Sequence, residues 1–147
     1  MISLNFICAQ LRDRGRRVTP QRRAIIQVLL ENGSHPTADQ VFTQVKHVMP
    51  DISPATVYNT LHELVEMGAL QELTLRSSER RYDIITTEHA HLVCLKCGQI
   101  ENVPYNHQAL ELSPEYTYGF EIIDQIVFYR GYCPTCAGPS DGSVETL

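Results

Sequence analysis

Two cysteine pairs constrain this chain more than any other feature: Cys94-Leu-Lys-Cys97 and Cys133-Pro-Thr-Cys136. Each pair forms a short knuckle that presents two sulfurs to one point, and four thiolates suit a tetrahedral Zn²⁺. The 35-residue gap between the pairs exceeds the usual ribbon spacing, so the chain between them must run out and return as strands. Two separate redox dithiols are the alternative. Two CxxC units within one small domain favour the Cys₄ site, which is coordinatively closed and therefore structural.

The N-terminal half has the period of helices. Thr19-Pro20 reads as an N-cap followed by proline at the first helical position, and Ala24, Ile25, Val28 and Leu29 recur at helical spacing. Glu31 to Ser34 ends that helix, and Thr37 caps a second one carrying Val41, Phe42 and Val45. Ser53-Pro54 opens a third, with Val57, Leu61, Leu64 and Val65 on its apolar face and Gly68 beyond its end. The period then changes. Ala69–Leu75 alternates as a strand, Arg76–Glu79 makes a polar turn, and Arg80–Ile85 returns. Three helices and a hairpin are a winged helix-turn-helix, whose third helix is suited to the major groove. Residues 1–85 are assigned to this DNA-binding domain.

After a linker near Thr86–Glu88, strands are expected over His91–Leu95, Gln99–Val103 and Glu121–Tyr129, with a helix between Tyr105 and Leu112. Residues 86–136 thus form a second, α/β domain, and 137–147 are expected to be a mobile tail. The fold class is α+β. The N-terminus has neither the basic start nor the apolar core of a signal peptide, and a cytoplasmic protein is expected.

The net charge of −5 looks wrong for a nucleic-acid binder until it is divided. Residues 1–84 carry ten basic and nine acidic side chains, whereas 85–147 carry two basic and eight acidic. Six of the twelve basic residues fall between Arg12 and Arg23. Phosphate contact is therefore assigned to Arg16, Arg17, Gln21 and Arg22. Thr56, Tyr58, Asn59 and Thr60 on the third helix are assigned to bases or phosphates.

A second ligand group is Asp83, His89 and His91, the two histidines sharing one face of a strand. With His35 they make three imidazoles and one carboxylate, a set suited to Fe²⁺, Mn²⁺, Co²⁺ or Zn²⁺. Taken alone, His35 reads more readily as an ordinary surface or loop histidine than as a ligand, and His47, His62 and His107 keep that ordinary reading. A zinc deaminase is excluded, because the His-x-Glu element and the proline ahead of the cysteine pair are missing.

These segments jointly resemble the ferric uptake regulator (Fur) family from about Leu11 to Cys136. The matching stretches are Arg17-Val-Thr-Pro-Gln-Arg22, His35-Pro-Thr-Ala-Asp39, Ala55-Thr-Val-Tyr-Asn59, Arg81-Tyr-Asp83, His89-Ala-His-Leu-Val-Cys94 and Cys133-Pro-Thr-Cys136. Asp83 and Asn59 are most similar to the peroxide-sensing branch, PerR. The resemblance implies a homodimeric repressor of palindromic operator DNA, and not an enzyme. It implies structural zinc on Cys94, Cys97, Cys133 and Cys136, and regulatory Fe²⁺ or Mn²⁺ on His35, Asp83, His89 and His91. It further implies release when peroxide and iron oxidise His35 or His89. A reversible iron- or manganese-availability sensor is the alternative. The branch has a second aspartate where this chain has Asn102. Adjacent Glu101 could substitute only if a bulge re-aimed it.

Overall fold

The computed structural model describes residues 2–33, 35–76, 79–84, 89–105, 112–123 and 125–138. The chain divides into two compact units, Met1–Thr87 and Glu88–Leu147. No helix among the described residues is long and apolar enough to cross a membrane.

The first unit contains helices α1 (Leu4–Asp13), α2 (Pro20–Glu31), α3 (Ala38–Val48) and α4 (Pro54–Glu66), then strands β1 (Gln71–Arg76) and β2 (Glu79–Asp83). Each helix starts on a hydroxyl. Ser3, Thr19, Thr37 and Ser53 accept from the backbone N–H of Phe6, Arg22, Gln40 and Thr56, each at 3.2 Å. Such a cap satisfies a donor that the helix cannot, and each contributes about 1 kcal/mol. Thr37 also donates its own N–H to the Gln40 side chain at 2.9 Å, completing a capping box. Gly68, at φ +69°, takes the left-handed turn that stops α4.

Helix α1 is an addition to the three helices read from the sequence. Ile7, Cys8 and Leu11 lie on its inner face and share one core with Ile25, Ile26, Leu29, Val57 and Leu61. Cys8 is fully buried there, as a small apolar side chain. Strands β1 and β2 pair antiparallel from Gln71↔Asp83 to Thr74↔Arg80, which makes the wing. Ser77 and Ser78 of the expected turn lie outside the described residues.

The second unit is a three-stranded sheet in the order β4–β3–β5, formed by β3 (Ala90–Cys94), β4 (Ile100–Val103) and β5 (Val127–Gly131), and closed by the short helix α5 (Pro134–Ala137). β3 runs antiparallel to β4 and parallel to β5. The strand expected over Glu121–Tyr129 begins instead at Val127 and continues to Gly131. Ile122 and Ile123 suggest a strand by composition, but they are exposed and pair with no strand among the described residues. Strand propensity there is overridden by tertiary context. Of the helix expected between Tyr105 and Leu112, residues 106–111 lie outside the described residues. So do 139–147 of the expected tail.

Candidate functional site

The cysteine pairs meet because of strand direction. β3 and β5 are parallel and in register to Cys94↔Gly131, so both end at one edge of the sheet. After β3 the chain turns back. Gly98, at φ +75°, donates to the Cys94 carbonyl at 2.9 Å, and the Cys94 N–H donates to Gln99 at 2.9 Å. After β5, Cys133 opens α5, and the Cys136 N–H returns to the Cys133 carbonyl at 2.8 Å. The four Sγ atoms lie within 4.8 Å of one another. Cys97 and Cys133, one from each pair, are 3.8 Å apart. A tetrahedral Zn²⁺ with bonds near 2.3 Å sets its sulfurs about 3.8 Å apart.

The electrostatics agree. Backbone N–H groups, that of Cys133 foremost at 3.3 Å, hold the Cys94 thiol down to about 5. Hydrogen bonding to Cys133 and desolvation push Cys136 up to about 12. Thiols this close resist ionising together unless a cation is shared among them. The described cysteines are all free thiols. Because the two pairs merge into one cluster, they fit a closed structural zinc site and not two independent dithiols.

Within the winged-helix unit, His35 and Asp83 are 48 positions apart in sequence, yet they face each other. The Tyr82 N–H donates to the Pro36 carbonyl at 3.0 Å, and Thr37 forms an antiparallel bridge with Arg81. Extending that register sets His35 opposite Asp83. His35 Nε2 lies 3.3 Å from Asp83 Oδ2, with both residues almost fully buried. The Arg81 guanidinium donates to the His35 carbonyl at 3.3 Å. His35 adopts φ +50°, a left-handed conformation rare outside glycine. Strain of this kind is retained where the surroundings demand one geometry.

Within the second unit, the Nε2 atoms of His89 and His91 are 3.1 Å apart. His91 is 1% exposed, and its ring centroid lies 5.4 Å from that of Phe128. Two ligand atoms about 2.1 Å from one ion and at right angles are about 3.0 Å apart. The spacing in the His35–Asp83 pair and in the His89–His91 pair therefore matches an edge of a coordination polyhedron.

Asn102 sits directly across from His91 in the β3–β4 register, so the two side chains share a face. Its Oδ1 is buried and has no hydrogen-bond partner among the described residues. Glu101 pairs with Leu92 on the opposite face, and its carboxylate accepts from Gln99 at 2.8 Å. The register from Ala90↔Val103 to Val93↔Ile100 runs without a bulge.

Helix α4 and the start of α2 frame a cleft of about 320 Å³ lined by Arg17, Thr19, Gln21, Arg22, Thr56, Asn59 and Thr60. Six of the eight residues assigned to DNA from the sequence meet here, and no carboxylate lines the cleft. Tyr58 lies apart, half exposed, and its hydroxyl donates to Asp39 at 2.8 Å. This bond, then burial and the nearby charge, raise the Tyr58 phenol above its ordinary value. Arg16 and Arg22 both turn to Glu63 on α4: Arg16 Nε is 3.2 Å from Oε1, and Arg22 Nη2 pairs with Oε2. Thr60 is buried and its hydroxyl bonds the Thr56 carbonyl. Thr19, Asp39 and Glu63 were not assigned to the DNA-facing surface from the sequence. Only the N-cap pattern at Thr19 carried a signal, and that signal was structural. His62 is exposed and 3.4 Å from Glu66, and His47 lies in the last turn of α3.

The family model for the ferric uptake regulator family matches residues 13–128. The chain is 36% identical over 129 residues to the peroxide-responsive repressor PerR of Staphylococcus epidermidis, covering 87% of this chain and 86% of that one. Among solved structures it resembles the ferric uptake regulator of Francisella tularensis with iron. The TM-score is 0.70 at 28% identity, covering 83% of this chain and 95% of that one. It also resembles the peroxide stress regulator of Campylobacter jejuni, with a TM-score of 0.65 at 29% identity, covering 92% of this chain and all of that one.

Proposed function

Because this chain belongs to the ferric uptake regulator family, we propose that it is a metal-dependent repressor that binds palindromic operator DNA as a homodimer and releases it when hydrogen peroxide oxidises a ligand histidine. The observation that carries the metal reading is the pair of donor sets, buried except for the half-buried His89. His35 with Asp83 and His89 with His91 are each spaced as two ligands of one ion. The winged-helix unit supplies the first set and the second unit the other. Taking up one ion with both sets favours the conformation able to hold DNA over those that cannot.

The cleft at the start of α2 supports phosphate binding, since two guanidiniums, three threonines and two side-chain amides converge there. Helix α4 supplies the groove-reading residues. The exposed apolar side chains Phe120, Ile122 and Ile123 support self-association of the second unit. Free thiols and a DNA target suit the cytoplasm.

Bound Fe²⁺ supplies the electron transfer that turns hydrogen peroxide into an oxidant. One peroxide oxygen ends on an imidazole carbon of His35 or His89, and the other leaves as water. The oxidised ring is a poor ligand, so the histidine lets go and repression ends. The protein is consumed by this step, which is signalling and not turnover. Mn²⁺ on the same residues supports DNA binding without this damage.

Peptide mass spectrometry tests the proposal on Fe²⁺-loaded protein given brief, low hydrogen peroxide, with an Mn²⁺-loaded control. One added oxygen on His35 or His89 in the iron sample alone is expected. Unmodified histidines in protein shown to hold iron would sink it. The second reading, a reversible iron or manganese sensor, is favoured by one observation: Asn102 stands beside His91 where a carboxylate would strengthen the site.

A further inference from the structure

We propose that Asp39 is a positioning residue for sequence reading: it holds the Tyr58 hydroxyl so that the phenol meets a base edge offering a hydrogen-bond donor, the exocyclic amine of adenine or cytosine, and not a phosphate. The inference rests on the operator-binding reading above and concerns only residues of the winged-helix unit.

Helix α4 presents two different flanks. Thr56, Asn59 and Thr60 line the basic cleft with Arg17 and Arg22. Tyr58 lies about 100° around the helix from Asn59. It lines a separate concavity of about 480 Å³, whose walls include Asp39, Glu79, Arg80 and Tyr82. Two carboxylates and one guanidinium line this hollow, where the cleft has two guanidiniums and no carboxylate. The cleft is therefore the flank that attracts phosphate, and the concavity is not.

The bond between α3 and α4 fixes what Tyr58 can offer. Asp39 stands in the first turn of α3, and the Tyr58 hydroxyl donates to its Oδ1 at 2.8 Å across 19 positions of sequence. A carboxylate acceptor makes this bond charge-assisted. The phenol is raised above its ordinary value, chiefly by this bond, so the proton stays on its oxygen. A phenol has only one proton. With it committed to Asp39, the Tyr58 oxygen has lone pairs alone to present to a partner. Phosphate oxygens are acceptors too, and the Asp39 charge repels them. The donors in the major groove are the amines at cytosine N4 and adenine N6. Without Asp39 the phenol would donate as readily as accept, and would tolerate guanine O6 or thymine O4 as well. Asp39 thus acts by excluding wrong partners, and needs no contact of its own with DNA.

The test uses the full chain with its zinc in place and Mn²⁺ supplied, and a pool of duplexes with a randomised centre. Parent, Asp39→Ala and Tyr58→Phe are each taken through in vitro selection, with circular dichroism and zinc content confirming the fold. The parent is expected to favour adenine or cytosine at one position of each half-site, and the base enriched there tells the two amines apart. Replacing that base by its analogue without the amine should weaken the parent about fivefold or more beyond any loss in Tyr58→Phe. This difference cancels effects of the analogue on the duplex itself. Asp39→Ala is expected to lose most of the preference, and to bind mixed-sequence duplex roughly twofold tighter at low salt. Equal sensitivity of parent and Tyr58→Phe to the missing amine would overturn base reading by the phenol. An undiminished preference in Asp39→Ala would overturn positioning by Asp39. A parent that enriches no sequence would overturn the operator-binding reading, and this inference with it.

Discussion

Replacing Glu63 with glutamine tests how the basic cleft is organised. Glu63 is only 12% exposed at its side chain and takes two arginines at once. Arg22 is 23% exposed, so this pair lies between the surface limit of about 0–1 kcal/mol and the 3–5 kcal/mol lost when a buried charge is orphaned. Arg16 is 56% exposed, and its pair is discounted to the surface value. Glutamine keeps the shape and can still accept a hydrogen bond. The expected loss is about 1–2 kcal/mol, or a fall in Tm of roughly 2–8 °C for a chain of this size. The same change frees two guanidiniums beside the cleft. Binding to a non-specific duplex should strengthen at low salt. The log–log salt slope should steepen by up to about 0.9 per added phosphate contact, roughly 3.6 for a dimer in which both freed guanidiniums of each chain engage. Thermal melts and fluorescence anisotropy across a salt series measure both. An unchanged Tm would refute anchoring of the arginines by Glu63. A shallower salt slope would refute the view that Glu63 withholds them from phosphate.

Two further outcomes are expected. A strong chelator should remove one zinc per chain and expose the four thiols of Cys94, Cys97, Cys133 and Cys136, melting the second unit while helical signal persists. Thiols that react freely without zinc release would refute the closed Cys₄ site. The second outcome concerns Tyr58, whose phenol is raised chiefly by its bond to Asp39. Because the folded value is raised, that contribution to stability is present below pH 10 and disappears as pH climbs through the raised value. Asp39→Asn should let one of the seven tyrosines ionise earlier in an ultraviolet titration. Superimposable curves for parent and variant would refute the coupling.

Local chemistry was legible directly from the chain. Thr19-Pro20, Thr37 and Ser53-Pro54 announced three helix starts, because a cap is made by residues three apart and needs no distant partner. The cysteine knuckles were legible for the same reason. Helix α1 was overlooked, although Ser3 caps it and Ile7, Cys8 and Leu11 repeat on one face. Its short apolar run was weighed only as a possible signal segment. The strand expected around Ile122 and Ile123 failed in the opposite way: β-branched composition pointed to a sheet, but a strand needs a neighbour, and propensity does not supply one.

By itself the sequence determined the ligand types, the capped helices, the uneven division of charge and the family. All of these depend on residue identity and short spacing. Tertiary structure alone decided which of these residues meet. The Thr37↔Arg81 bridge sets His35 opposite Asp83 across 48 positions. The parallel pairing of β3 with β5 brings two distant CxxC units to one point. An unbulged β3–β4 register gives Asn102, and not Glu101, to the face of His91. A side chain's partners follow from strand pairing and register, and these are properties of two segments together that neither segment encodes alone.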